Sequence, residues 1–436
     1  VYVGIKNARI AGNEGMHQAA LAMAAVCMGE CDESKEWLDF LFKPGKRVFE
    51  KDPVRSTDAY STGCNVFGVL ENKVNGNGLG DECSPMYNRL WMVEFARLAD
   101  ILSAYPGITG TKYDLKTHPV MKKMYKSYVP LNLDNDFIPK TGDTGKTGNP
   151  MKIFDGDNLQ KFLWQGYEAT KDEGILDLFN LSYPQAKEGK FGYIDVEKPE
   201  EKAQLLQAAK DPNLPIHERS HNLTDYGDAL LRQRTRHGCN VHMYYGRTKG
   251  HGHLDKMNFE IIAHGMNFSP DLGYPEYAEN VPSRYQWTSN TVSHNTVMVD
   301  QSGQNNTDYA GIPYGFEDSS SVKFIDVDDS DVYDQVSMYR RALCMVDITP
   351  EKAYIVDFFR VAGGERHELS FHGGEGDVTV TGVQLHAQTR GTLEGEDVPY
   401  GEWIGGKGSQ RGNGYSFLYD VKKSEESSDY VELTYE

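Results

Sequence analysis

The hydrophobic period of the chain changes near its midpoint. Over residues 13–28 (NEGMHQAALAMAAVCM), apolar side chains recur at helical spacing in a stretch rich in Ala, Met and Leu. A second helical pattern covers 33–42 after a short polar break. Ser84 and Pro85 then open a long amphipathic run, MYNRLWMVEFARLADILSAY, with Ser84 placed as N-cap and Pro85 at the first helical position. Helices are also predicted over 118–128, 157–169 and 200–210. Long turn-rich connections, such as 72–80 and 141–150, join them. From about residue 222 the period shortens to two. The segments NVHMYYG, NFEIIAHG, NTVMVD, SVKFIDV, RALCMVD, AYIVDFF, HELSFH and DVTVTG are separated by Gly, Asp and Ser clusters. That spacing predicts antiparallel strands of a sandwich or layered sheet. The expected organisation is a helical domain over 1–212 and an antiparallel β domain over 213–436, with the boundary near 212–220.

Composition narrows the class. The chain has 436 residues, 39 % hydrophobic and 25 % charged, as in a folded globular protein with more than one core. No window approaches the roughly 18 apolar residues of a membrane span. The first residues, Val1-Tyr2-Val3-Gly4, carry neither an initiator Met nor a signal peptide, and Val431 to Tyr435 looks like the middle of a strand. Both ends suggest a piece of a longer precursor, which leaves room for a removed signal.

The net charge of −19 argues against nucleic acid as partner. An anionic ligand would need a local basic cluster, for which Lys6, Arg9, Arg89, Arg232, Arg234, Arg236 and Arg284 are available. Cys27 and Cys31 are four apart in a helical stretch, with Cys64, Cys83, Cys239 and Cys344 elsewhere. That is not a zinc-ribbon spacing, and buried free thiols are expected. Nothing in the sequence sets an oligomeric state.

The densest chemistry lies in Gly250-His251-Gly252-His253-Leu254-Asp255, followed by Asp271 and then by Ser293-His294-Asn295-Thr296. If the first segment is extended, His251 and His253 share a face. Two imidazoles and a carboxylate suit zinc or a similar divalent ion and leave a further histidine for chemistry. The bland alternative is chance, since 13 histidines in this chain will form some His-x-His pairs.

The helical half followed by GHGHLDKMNFEIIAHGMNFSPDLG, SHNTVMVD and YIVDFFRVAGGERHELSFHG resembles the heparinase II/III-like polysaccharide lyases. That group includes oligoalginate and glycosaminoglycan lyases. The resemblance implies an α+β multidomain fold, an incomplete α/α toroid followed by antiparallel β-sheet layers, with part of the toroid lying before Val1. It implies β-elimination at the 4-O-glycosidic bond of a uronate in an anionic polysaccharide or oligosaccharide, alginate or glycosaminoglycan, by a periplasmic or secreted enzyme. Three tasks follow: neutralising the uronate carboxylate, removing the C5 proton and protonating the departing O4. By resemblance, Asn13 neutralises the carboxylate. Many similar lyases have a histidine directly after that Asn. Here Glu14 follows, and His17 stands at i+4 from Asn13 on the predicted helix, with Gln18 beside it.

Tyr87, in the first turn after Ser84-Pro85, takes the place of the catalytic tyrosine, and the helix N-terminus favours its phenolate. Tyr60 is the fallback. The resemblance implies that His251 faces the sugar. It makes His253, Asp271 and His294 the ligands of one mainly structural ion, zinc ahead of manganese or calcium. Tyr285 is a second proton carrier or a sugar-stacking residue, and Trp287 would line the cleft with it. Arg89, Arg232 and Arg284 are candidate clamps for carboxylate or sulfate. Three alternatives stay open: a uronate C5-epimerase of the same fold, which forms no double bond; a non-catalytic, metal-stabilised glycan-binding protein; and a metal hydrolase or oxygenase that uses the His/Asp set directly.

Overall fold

The structure, a computed structural model, describes residues 1–7, 13–45, 47–51, 56–60, 62–109, 114–134, 137–153, 158–182, 200, 203, 219–235, 237–275, 283–404 and 412–435. It divides into two compact units. One comprises Val1–Glu82, Met86–Leu131 and Ile153–Glu218, the other Cys83–Pro85, Asn132–Lys152 and Arg219–Glu436. The expected boundary at 212–220 and the helix at 200–210 fall almost wholly outside the described residues.

The first unit contains helices α1 (Tyr2–Lys6), α2 (Met16–Met28), α3 (Asp32–Phe42), α4 (Val66–Lys73), α5 (Pro85–Ala104), α6 (Pro106–Thr109), α7 (Pro119–Lys126), α8 (Asn158–Thr170) and α9 (Glu173–Ser182). It also holds a hairpin that the helical period did not predict, β1 (Arg47–Lys51) with β2 (Ser56–Tyr60). Consecutive helices pack in pairs, α2 on α3 and α8 on α9. Helix α5 shows why the pattern works. Trp91, Phe95, Leu98 and Leu102 fall at i, i+4, i+7 and i+11 and are all buried, each worth about 1.5–3 kcal/mol of transfer free energy. No helix among the described residues is long and apolar enough to cross a membrane.

Two expectations need correction here. Helix α2 begins at Met16, because Gly15 takes φ 88° as its N-cap. Asn13 therefore sits in the turn ahead of the helix, with its carbonyl accepting the Met16 amide, and does not share a helical face with His17. Likewise Cys27 ends α2 while Cys31 caps α3, so the two do not line one helix. All six cysteines are free, and only Cys64 and Cys83 are buried.

The second unit is a pair of antiparallel meanders. Strands β3 (His221–Leu223), β4 (Asp228–Arg232), β5 (Asn240–Tyr244), β6 (Asn258–Ala263) and β7 (Met266–Asn267) form a five-stranded sheet in sequence order. Strand β8 (Val297–Val299) leads to a four-stranded sheet of β9 (Ile312–Asp318), β10 (Val322–Asp328), β11 (Val336–Thr349) and β12 (Lys352–Gly363). Short pairs complete the unit: β8 with β13 (His367–Leu369), β14 (Val378–Thr381) with β17 (Glu432–Tyr435), and β15 (His386–Ala387) with β16 (Lys422–Lys423). The core between the two large sheets follows the alternation of β-strands. Ala229, Leu231, Val241, Met243 and Phe259 meet Ile325, Val327, Leu343 and Met345.

The five-stranded sheet is buried on its other face as well. There Leu230 and Ile262 pack against Leu133 and Phe137 of the 132–152 segment. That face is also polar. His242 lies opposite Leu230 and Glu260, and its Nε2 is 2.6 Å from Asp228 Oδ2. Glu260 accepts the Lys140 amide at 3.0 Å and the Asn267 side chain at 2.8 Å. A buried carboxylate left without donors would be costly, so the segment that supplies the Lys140 amide docks in a fixed place. This docking places residues 141–145 beside the histidine loop.

Candidate functional site

His251 and His253 lie in the connection between β5 and β6, not on a strand. His251 takes a left-handed backbone, φ 64°, so the expected i, i+2 alternation does not apply. Asp271 follows β7, and His294 follows a 3-10 turn at Thr291–Ser293. One ligand atom each from His253, Asp271 and His294 come within 4.8 Å of one another, and the three residues are only 1 %, 2 % and 1 % exposed. The ligand set expected from the sequence is thus assembled.

Its hydrogen bonding fits a cation. His294 Nδ1 donates to the Asn290 carbonyl at 2.7 Å. That leaves Nε2, which has no hydrogen-bond partner, as a lone pair 3.4 Å from Asp271 Oδ2. His253 Nε2 is 3.1 Å from Asp143 Oδ1, and its buried Nδ1 has no hydrogen-bond partner. Asp271 accepts Asn258 Nδ2 and the Gly273 amide, both at 2.8 Å. Two orphaned imidazole nitrogens would cost about 1–3 kcal/mol each in a dry interior. A bound divalent ion removes that cost, with outer partners holding each ligand in orientation. Burial pushes the His294 pKa down to about 3, so the ring is neutral at physiological pH. Burial also raises the Asp271 carboxyl above its ordinary range. Asp255, equally enclosed, is raised for the same reason. Its Oδ2 accepts the Gly142 amide at 3.3 Å, while Oδ1 has no hydrogen-bond partner.

His251 differs from this trio in exposure, with 35 % of its side chain accessible. Its Nδ1 is 3.0 Å from Asp143 Oδ2, and its carbonyl accepts the Asp143 amide at 2.9 Å. The close approach depends on Gly142, which has φ 55° and whose added Cβ would lie 2.4 Å from the His251 oxygen. Arg284 donates to Asp143 Oδ2 at 3.0 Å, and its guanidinium lies 5.6 Å and 5.8 Å from the ring centres of Tyr274 and Tyr285. Burial opposes charge on Asp143. The hydrogen bonds from His251 and His253 and the positive charge of Arg284 overcome it and hold the carboxyl well below its ordinary range. Asp143 itself is held by Ser84, whose hydroxyl donates to the Asp143 carbonyl at 3.0 Å and lies 2.7 Å from Thr144 Oγ1.

The remaining predicted residues are dispersed. Tyr285 is exposed, on the same π-helical turn as Arg284. Trp287 stacks on Phe417 and meets His372 edge-on, in a small cluster with Val292, Met298 and Tyr415. Arg232 is buried, and its guanidinium donates to the Asn132 carbonyl, which ties down the 132–152 segment and is not the geometry of a surface clamp. Arg89 is buried too and donates to the Ile153 carbonyl at 3.4 Å. In the helical unit Asn13 is half-buried and His17 buried. Gln18 is buried and caps α2 by accepting the Gly15 amide at 2.9 Å. Glu14, in the place where similar lyases often have histidine, is buried in an ion pair with Lys73 at 2.9 Å. Tyr87 is half-buried in the first turn of α5. The side chain of Tyr60, and all of Arg9 and Arg236, lie outside the described residues. Lys6 contacts Tyr2, and Arg234 pairs with Asp318, so neither is committed to this site.

Comparison with known proteins supports the resemblance. Residues 241–404 match the family model described as Heparinase II/III-like, C-terminal, which covers His251, His253, Asp271 and His294. No curated protein matches the chain. Among solved structures it is similar to a heparinase III, with TM-score 0.58 and 17 % identity over 86 % of this chain and 52 % of that one. A second heparinase III structure gives TM-score 0.58, 16 % identity, and coverage of 85 % and 52 %. Heparan sulfate lyase HepC from Pedobacter heparinus gives 0.51, 15 %, and coverage of 80 % and 46 %. The chain spans about half the length of the structures it matches. At these identities the likeness is one of fold: helices together with antiparallel sheets, similar to heparinase III.

Proposed function

We propose that this chain is the catalytic part of a polysaccharide lyase that cleaves the 4-O-glycosidic bond of a uronate by β-elimination, leaving an unsaturated uronate. The reading is carried by one observation. His251, oriented through Nδ1 by a buried carboxylate, stands beside a His-Asp-His ligand set, inside a segment that matches a heparinase II/III-like family model. In this reading the helical unit is part of an incomplete α/α toroid, and the protein works in the periplasm or outside the cell.

The donor set, two imidazoles and a carboxylate, fits zinc best. The ion would be held by His253, Asp271 and His294, and it would supply rigidity to the loops that present His251. The protein's own side chains do the rest. Asn13, with His17, donates hydrogen bonds to the uronate carboxylate and so stabilises charge that develops as C5 loses its proton. His251 and Tyr87 divide the proton transfers at C5 and O4. Arg284 and Tyr285, next to each other on one turn, contact the acidic groups and the ring face of the sugar.

Heparan sulfate comes first among substrates, since a similar fold is named as a lyase of that polymer, with other glycosaminoglycans and alginate behind it. The test is to incubate the protein with this panel and follow ultraviolet absorbance of the unsaturated product. Absorbance should rise on at least one polymer, and Tyr87→Phe should abolish the rise with the fold intact. No rise on any polymer refutes the reading, and a uronate epimerase would give that same blank while exchanging the C5 proton with solvent.

A further inference from the structure

We propose that Asp143 is the positioning residue of this site: its single carboxylate sets opposite tautomers on His251 and His253 and thereby joins the metal ligands to the sugar-facing histidine. The inference rests on the lyase reading only for what His251 does in turnover. The geometry stands on the hydrogen bonds.

Each oxygen of Asp143 takes one ring. Oδ2 is 3.0 Å from His251 Nδ1, and Oδ1 is 3.1 Å from His253 Nε2. An ionised carboxylate only accepts, so each of those nitrogens must carry a hydrogen. On His253 the neutral ring then has its lone pair on Nδ1, the buried nitrogen with no hydrogen-bond partner. That is the nitrogen left open to a cation. On His251 the same rule puts the lone pair on Nε2, the nitrogen on the far side of the ring from Asp143. Two histidines separated by one glycine are thus committed to opposite nitrogens by one acidic group.

Contacts besides those to the two rings also hold the carboxylate in place. Its own amide donates to the His251 carbonyl at 2.9 Å, and Ser84 and Thr144 hold its neighbouring backbone. Arg284 at 3.0 Å from Oδ2 compensates the charge. A carboxylate outside a metal ligand that holds its far nitrogen commonly contributes 10–100-fold in metal affinity. Here it does so for one ring and orients a second.

Asp143→Asn separates this role from simple packing. The amide keeps the shape but offers one acceptor and one donor, so it can satisfy one ring only and reverses the other. The full chain, labelled with 15N in its histidine rings and assigned with His251→Gln and His253→Gln, is measured metal-free at alkaline pH. The wild type should show His253 protonated at Nε2 and His251 at Nδ1. In Asp143→Asn at least one ring should switch, and zinc affinity measured by chelator competition should fall roughly 10–100-fold. A wild-type His253 protonated at Nδ1 overturns the proposal, and so does a variant with both tautomers and zinc affinity unchanged. If Asp143→Asn does not fold, the wild-type spectrum decides alone. Should no uronate polymer be cleaved while the tautomers are as stated, the lyase reading falls and the role of Asp143 stands.

Discussion

At the scale of single residues, the site divides into what spacing reveals and what only folding brings in. His251, His253, Asp271 and His294 were legible because ligand-type residues crowd a short stretch of chain. Asp143 was not, since it lies 108 positions from His251 in an apparently featureless loop. Its flanking residues, Gly142 and Thr144, are the only signal, and they read equally well as an ordinary turn. Arginines misled for the opposite reason. Charge says nothing about burial, and Arg89 and Arg232 serve backbone carbonyls in the interior. The metal assignment gives a sharp residue-level expectation. Asp271→Ala removes a carboxylate from a buried trio and leaves two imidazoles, so zinc binding by calorimetry should weaken at least 100-fold on the outer-partner scale of 10–100-fold. Asp255→Asn, outside the trio, should keep zinc affinity within about tenfold. Equal losses in both would mean that Asp255 is itself a ligand.

At the scale of elements, the helices and the large strands follow the period of the sequence, and segment 132–152 does not. Leu133 and Phe137 are its anchors on the sheet, and the rest is held by hydrogen bonds such as Lys140 to Glu260. Such a segment has no periodicity to detect. The left-handed turn of this segment is a point where the packing can be tested. Gly142→Ala forces a side chain into φ 55° and toward the His251 oxygen, and should cost about 1–3 kcal/mol by urea denaturation. Beneath the segment, burial opposes the charge of Asp228, yet His242 and His221 bring its pKa down to about 2. Burial would lower His242, but Asp228 raises it. The signs give a stability window. The Asp228 contribution is complete above its unfolded value near 4 and disappears as the pH falls toward 2. The His242 contribution is complete below about 6.5 and is lost as the pH rises through its raised folded value. Asp228→Asn should therefore lose most stability near pH 5, about 3 kcal/mol, and show a flatter pH dependence in urea melts. A constant offset from pH 3 to pH 8 would mean that the pair is not charged.

For the whole molecule, the relevant question is where the binding energy of the ion is felt. All three ligands, with Asp143 and the sheet that supports it, belong to the unit of Cys83–Pro85, Asn132–Lys152 and Arg219–Glu436. A ligand that binds only the folded state stabilises by RT ln(1 + [L]/Kd), about 4 kcal/mol at a thousandfold excess over Kd. That gain is felt in the openings that break the site. The loop around His253 and the turns around Asp271 and His294 cannot open without losing a ligand. Helices α2, α5 and α8 can open locally while all three ligands stay in place, because none of them contributes one. Hydrogen exchange with and without zinc should therefore slow at residues 250–257, 268–273 and 290–296 and leave local exchange in those helices unchanged. A uniform slowing across both units would show instead that every opening passes through unfolding of the whole chain, with the ion holding the protein together and not one loop cluster.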